Sequence, residues 1–248
     1  MPRSIPYLSK PSIAARAEAL LAAFAAAHGE VTAPPVPVED VLECHLQISL
    51  GFADLRQRFG SADVLGAIWI ARREVLIDER LDPVEHVGTE GRYRFTIAHE
   101  IGHWELHRDL LTDVRQLGLP GDLAAAPSLV CRKTDAKKPI EWQADRFAAD
   151  LLMPAAIVRQ EWLRTVGTAD PLVYEDHKNT TFARRPYSRG MVSVGTVLRR
   201  STEEEHSYFF EKVAREFAPK FRVSNQAMRI RLEDMGLLRA RREASLFT

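Results

Sequence analysis

The sequence predicts an α+β fold: a small β-sheet flanked by helices, followed by a carboxyl-terminal helical region. Three observations carry that prediction. Apolar residues recur at helical spacing at Ile13, Ala17, Leu20, Leu21 and Phe24, and again at Ala144, Phe147, Ala148, Leu151 and Leu152. Two short runs, 66–71 and 74–78, are rich in β-branched and aromatic residues and are joined at Arg72-Arg73, as in a strand-turn-strand pair. From Tyr208 onward, Phe209, Val213 and Phe217 restore the helical period.

Taken in order, the amino-terminal stretch faintly resembles a secretory leader, because Arg3 and Lys10 precede the alanine-rich run 19–27. Arg16 and Glu18 interrupt the apolar run, so an amphipathic helix packed on the domain is expected instead. The run from Ala33 to Pro37 is a stiff connector, and Val38 to Leu46 suits a short helix with Val41, Leu42 and His45 inward. Gln47 to Leu50 opens a strand. The sheet formed with 66–71 and 74–78 offers an edge to which a peptide could add as a further strand, although a core hairpin explains the same residues.

Residues 108–140 contain Gly118, Pro120, Gly121, Pro127 and Pro139 with a basic cluster at Arg132, Lys133, Lys137 and Lys138, and read as a loop region. The polar stretch from Thr165 to Gly190 holds Tyr174, His177, Arg184, Arg185 and Tyr187, and reads either as a partner-selecting insertion or as inert surface. Ser224-Asn225 suits the cap of a last helix carrying Ala227, Met228, Ile230, Leu232 and Met235, stopped by Gly236. Two short helices around Arg222-Val223-Ser224 resemble a helix-turn-helix. The expected division is 1–165, a polar insertion at 166–195, and a helical region at 196–248.

Lysine and arginine balance aspartate and glutamate at 34 each, which argues against a chain that binds nucleic acid or membranes through its overall charge. From 212 onward, nine cations face four anions, a surplus of five that makes DNA contact by this region a secondary expectation beside packing. No run approaches the roughly 18 apolar residues of a membrane span. Cys44 and Cys131 lack metal-site spacing and read as reduced core thiols of a cytoplasmic protein.

The chemistry is concentrated in Phe95-Thr96-Ile97-Ala98-His99-Glu100-Ile101-Gly102-His103. Four residues along a helix turn about 400°, so His99 and His103 project from one face. Both rings can then bind one zinc ion, with Glu100 placed as a base toward water. Apolar Phe95, Ile97, Ala98, Ile101, Trp104 and Leu106 fit a buried helix, where a polar pair needs something to satisfy it.

A catalytic zinc site needs a third protein ligand. An extended motif would place glycine at 106 and histidine at 109, but Leu106 and Asp109 stand there. His107 lies about 12 Å along the axis from His99, too far to share its ion, which leaves it behind the ligands, on the substrate side, or in the core. The better candidate lies in the helical run 139–154, where Glu141 can ligate and Asp145, one turn on, can accept the outward N–H of a ligand histidine. Two solvated acids at a helix start explain the same pair.

The stretch 94–107 followed by Glu-x-x-Ala-Asp-x-Phe-Ala-Ala-x-Leu-Leu-Met-Pro at 141–154 resembles the ImmA/IrrE family of metallo-endopeptidases. The likeness runs from about residue 13 to 240, with a gap around 165–195. It implies a zincin-like metallopeptidase fold over 1–165, Zn2+ held by His99, His103 and Glu141, and Glu100 as base. It also implies proteolysis of a regulatory protein, typically a DNA-binding repressor, during stress or mobile-element induction. Many relatives carry asparagine where this chain has Asp145.

The expected activity is zinc-dependent peptide hydrolysis acting in trans. Tyr93, His107, Tyr174, His177 and Tyr187 are each candidate oxyanion or substrate contacts. Two rival readings are a DNA-binding regulator with a non-catalytic zinc site and a scaffold that binds a repressor without cutting it.

Overall fold

The computed structural model describes residues 5–116, 126–132, 138–177 and 202–241, without the side chains of 112–116 and 202–205. These residues fall into two compact units, one of 1–157 with 221–223, the other of 158–220 with 224–248.

The first unit opens with α1, Lys10–His28. Ser9 caps it by accepting a hydrogen bond from the Ser12 amide, and Gly29, at φ +105°, ends it. Such a cap contributes about 1 kcal/mol. Ile13, Ala17, Leu20 and Phe24 form the buried stripe that the periodicity predicts. A short helix α2, Val38–Asp40, continues through a wider π turn at Val41–His45. Val41 and Leu42 are buried as expected, and the half-buried His45 ring meets Phe24 edge-on.

Strand β1, Ser49–Ala53, is followed by a helix the sequence reading did not anticipate, α3, Leu55–Phe59. Asp54 caps it by accepting from the Gln57 amide at 2.8 Å, and Gly60 at φ +64° closes it. Strands β2, Val64–Trp69, and β3, Glu74–Asp78, form the predicted antiparallel hairpin, with Trp69 opposite Glu74 and Gly66 opposite Ile77. A fourth strand, β4, Leu129–Arg132, comes from the region read as loop. The sheet order is β1-β3-β2-β4, with β1 parallel to β3 and β2 antiparallel to both neighbours. The hairpin of β2 and β3 is thus the centre of the sheet, and β1 and β4 are its edge strands.

Helix α4, Glu90–Gln116, packs on this sheet and against α5, Pro139–Leu152, which also meets α1. Arg92, Tyr93 and Arg94 lie in the first turns of α4. Arg94 is buried, donating to the Val36 carbonyl and pairing with Glu39 at 3.3 Å, so it is a structural cation, not a solvated one. The α4–α5 approach depends on Gly102. A Cβ there would stand 3.1 Å from the Ala144 backbone and 3.3 Å from the Phe147 Cβ. Absence of a side chain lets α5 lie against the histidine helix, and Phe147, Ala148, Leu151 and Leu152 bury completely beside it.

Helix α6, Ala155–Val166, leads into the second unit. There Trp162 stacks on Phe217, and buried Glu161 pairs with Lys220 at 3.1 Å and Arg164 at 2.9 Å. Strand β5, Leu172–Val173, pairs parallel with β6, Leu238–Arg239, and α7, Tyr174–His177, follows β5. The last helices are α8, Thr202–Phe221, far longer than a short turn-motif helix, and α9, Asn225–Asp234. Ser224 caps α9 by accepting from the Ala227 amide at 3.1 Å, and Gly236 follows at φ +69°. Several carboxyl-terminal cations are occupied internally: Arg229 pairs with Glu211 and Glu233, and Arg231 is buried. Tyr187 and residues 178–195 of the polar stretch lie outside the described residues. Among the described residues, no helix is long and apolar enough to cross a membrane.

Candidate metal centre

Helix α4 places His99 and His103 one turn apart, and α5 brings Glu141 across from them. The Nε2 atoms of the two histidines are 2.9 Å apart. Glu141 Oε2 lies 3.1 Å from His99 Nε2 and 3.5 Å from His103 Nε2. Tetrahedral donors bound at about 2.0–2.1 Å stand about 3.3–3.4 Å from one another, so a zinc ion fits this triangle with shifts of a few tenths of an ångström. All three side chains are buried, at 3%, 0% and 3% exposure, where converging donors need a shared proton or cation.

Each histidine is held from behind. His99 Nδ1 is 2.8 Å from Asp145 Oδ1, one helical turn beyond Glu141. His103 Nδ1 is 3.1 Å from His107 Nδ1, and His107 Nε2 is 2.9 Å from Gln143 Oε1. Gln143 in turn donates from Nε2 to the Pro6 carbonyl at 2.9 Å. His107 therefore stands behind a histidine, one of the three places open to it, while Gln143 and Pro6 carried no sequence signal that named them.

Glu100 is fully buried, and neither of its carboxylate oxygens has a hydrogen-bond partner. It lies directly under β2: a Cβ on Gly66 would meet Glu100 Oε1 at 2.6 Å. Buried polar atoms are ordinarily paired, and Glu100 is the exception within this cluster.

The electrostatics divide the charge unevenly. Burial raises the Glu100 pKa to about 8, against the pull of His99. Burial also opposes ionisation of Glu141, but hydrogen bonds to His103 and His99 win and lower it to about 2. His103 is pushed down to about 3 by burial and by the charge on His99. His99 is itself desolvated, yet Cys131, Asp145 and Glu141 together hold its pKa well above the ordinary imidazole value.

The remaining sequence candidates have ring partners of their own. Tyr93 stacks on Phe52 with ring centres 5.6 Å apart, and burial raises its pKa to about 12. Tyr174 and His177 belong to the second unit, where both rings pack on Phe209. Cys131, placed in the core from sequence, is indeed buried, but it borders the site: its sulfur and donor atoms of His99 and Glu100 all lie within 4.8 Å of one another. The sequence concealed this because β4 lies in the region read as loop.

A mixed sheet backed by a helix with two histidines and an adjacent glutamate, with a third donor from a following helix, defines a zincin-like fold of the metallopeptidase type. The family Peptidase_M78, described as the IrrE N-terminal-like domain, matches residues 49–185, and the chain belongs to it. The match includes most of the 165–195 stretch, where the motif likeness lapses, and does not extend to α1 or beyond 185. No curated protein matches the chain significantly.

Proposed function

We propose that this protein is a zinc-dependent endopeptidase that cuts a regulatory protein, such as a DNA-binding repressor, in trans in the cytoplasm. The observation that carries the reading is the buried triangle of His99, His103 and Glu141 beside an unpartnered Glu100. When bound there, a zinc ion supplies Lewis-acid polarisation of a carbonyl and acidification of water.

The chain's own residues then have distinct tasks. With Nε2 of both histidines turned to the metal, each Nδ1 keeps its hydrogen. His99 Nδ1–H donates to Asp145. His103 Nδ1–H donates to His107 Nδ1, His107 Nε2–H donates to Gln143 Oε1, and the Gln143 amide donates to Pro6. Every link in that chain has one donor and one acceptor, so both ligand rings are fixed in tautomer and orientation. Glu100 takes a proton from attacking water on a carboxylate oxygen and delivers it to the departing amine. Glu100 makes the first of these transfers from its ionised form.

The test is incubation of the zinc-loaded full chain with candidate repressors, including proteins encoded beside it, followed by mass spectrometry for a chelator-sensitive cut. Glu100→Gln is expected to reduce cleavage by about 100-fold or more. Biological activity that persists undiminished in Glu100→Gln would instead support a scaffold that binds without cutting, and salt-dependent duplex binding without cleavage would support a DNA-binding regulator.

A further inference from the structure

We propose that Gly66 is a positioning residue for Glu100, its bare backbone giving the carboxylate its place under β2; this rests on the reading of Glu100 as the base. Glycine inside a strand weakens it and adds no side chain to the packing, so it marks a point of close approach. Gly66 stands in the middle of the sheet, opposite Ile77 of β3 and Cys131 of β4. The register between β2 and β4 also shifts between Val64 and Gly66. Such an irregularity re-aims the residue beside it. Here the face of Gly66 that lacks a side chain is turned to α4.

The approach is tight. A Cβ on Gly66 would stand 2.6 Å from Glu100 Oε1, 2.8 Å from Thr96 Cγ2 and 3.3 Å from Glu100 Cδ. None of these three nearest atoms belongs to His99, His103 or Glu141. Thr96 is tied in place, because its hydroxyl donates to the Arg92 carbonyl at 2.9 Å. Neither Glu100 oxygen is tied by a hydrogen bond. The carboxylate is also the far end of a flexible side chain, so an added methyl displaces it first. Gly66 therefore acts on the reaction through the place it leaves for Glu100, and not through the metal ligands.

Two measurements test this. In the zinc-free chain, Gly66→Ala should lower the denaturation midpoint, and should lower it markedly less beside Glu100→Ala, where truncation leaves room for the methyl. Equal losses in the two backgrounds overturn the contact. Should Gly66→Ala alone fail to fold, recovery of folding in the pair supports the contact, and failure of the pair overturns it.

The second measurement uses the zinc-loaded full chain and a repressor that the wild type cuts. Gly66→Ala should keep stoichiometric zinc and hold KM within about two-fold, yet lose about 10–100-fold in kcat. Beside Glu100→Gln it should cost nothing further. Gly51→Ala in β1, whose Cβ would stand 3.0 Å from Leu76 Cδ2, should leave kcat and zinc unchanged. Loss of zinc from Gly66→Ala, or an undiminished kcat, overturns the positioning role and leaves Glu100 as the base. A zinc-loaded wild type that cuts no candidate overturns the base reading itself, and the positioning role with it.

Discussion

His99 and His103, the paired histidines of α4, are supported from behind by different means. His99 leans on Asp145, a carboxylate whose side chain is 39% exposed. His103 leans on a neutral chain of imidazole, amide and backbone carbonyl, in which His107 and Gln143 are each 1% exposed. Burial explains the division. A carboxylate near solvent keeps part of its hydration, whereas a second unsolvated charge behind His103 would add to the cost of Glu100 and Glu141. Neutral dipoles aligned head to tail orient the ring without that cost. Two rings of one cluster are thus oriented by charge at the rim and by polarity in the interior.

The largest effects should come from removing the donors that both sides support. His99→Ala, His103→Ala and Glu141→Ala are each expected to strip the metal, read by elemental analysis of purified protein. Stoichiometric zinc in Glu141→Ala would remove that residue from the coordination shell. Next come the supports themselves. Asp145→Ala and His107→Ala should each weaken zinc affinity about 10–100-fold without abolishing it. Asp145→Asn, which keeps an acceptor, should lose less than Asp145→Ala. An unchanged affinity in His107→Ala would dissolve the proposed symmetry of function between the two sides.

Protons sharpen the same contrast. His99 is shifted up by Asp145 and Glu141 despite its burial, while His103 and Glu141 are pushed down to about 3 and about 2 and are already in the metal-ready form. Glu100, raised to about 8, also holds a proton near neutrality. Zinc binding at pH 7 should therefore release protons, and affinity should rise with pH. Calorimetry in buffers of different ionisation enthalpy reads this directly; release that is unchanged in Glu100→Gln would exclude the glutamate's share. The smallest effect is expected for Gln143→Ala, which removes a link two bonds from the ring. A loss no larger than about 10-fold in zinc affinity, below that of His107→Ala, is the outcome that fits a relay.

Gly102 ties these supports to packing. Gly102→Ala places a methyl 3.1 Å from the Ala144 backbone, so α5 must shift. Such overpacking costs about 1–3 kcal/mol, measured as a fall in denaturation midpoint. Because Glu141, Gln143 and Asp145 all ride on α5, zinc affinity should fall with it.

Much of this centre was legible in the chain because helices are local. The spacing of His99 and His103, the apolar stripe around them, and the one-turn step from Glu141 to Asp145 follow from helical geometry alone. So does the buried stripe of α1, and alternation with a short turn sufficed for the hairpin of β2 and β3. Long-range pairing left no comparable trace. Nothing near Leu129–Arg132 announces that it pairs with β2, so neither the fourth strand nor the position of Cys131 was visible. Nor does the chain announce that Arg94 meets Glu39 of α2, or that Tyr93, a candidate contact, stacks on Phe52. Gln143 reaches Pro6 across 137 residues. Periodicity records which face of an element is buried; only the folded chain decides what meets that face.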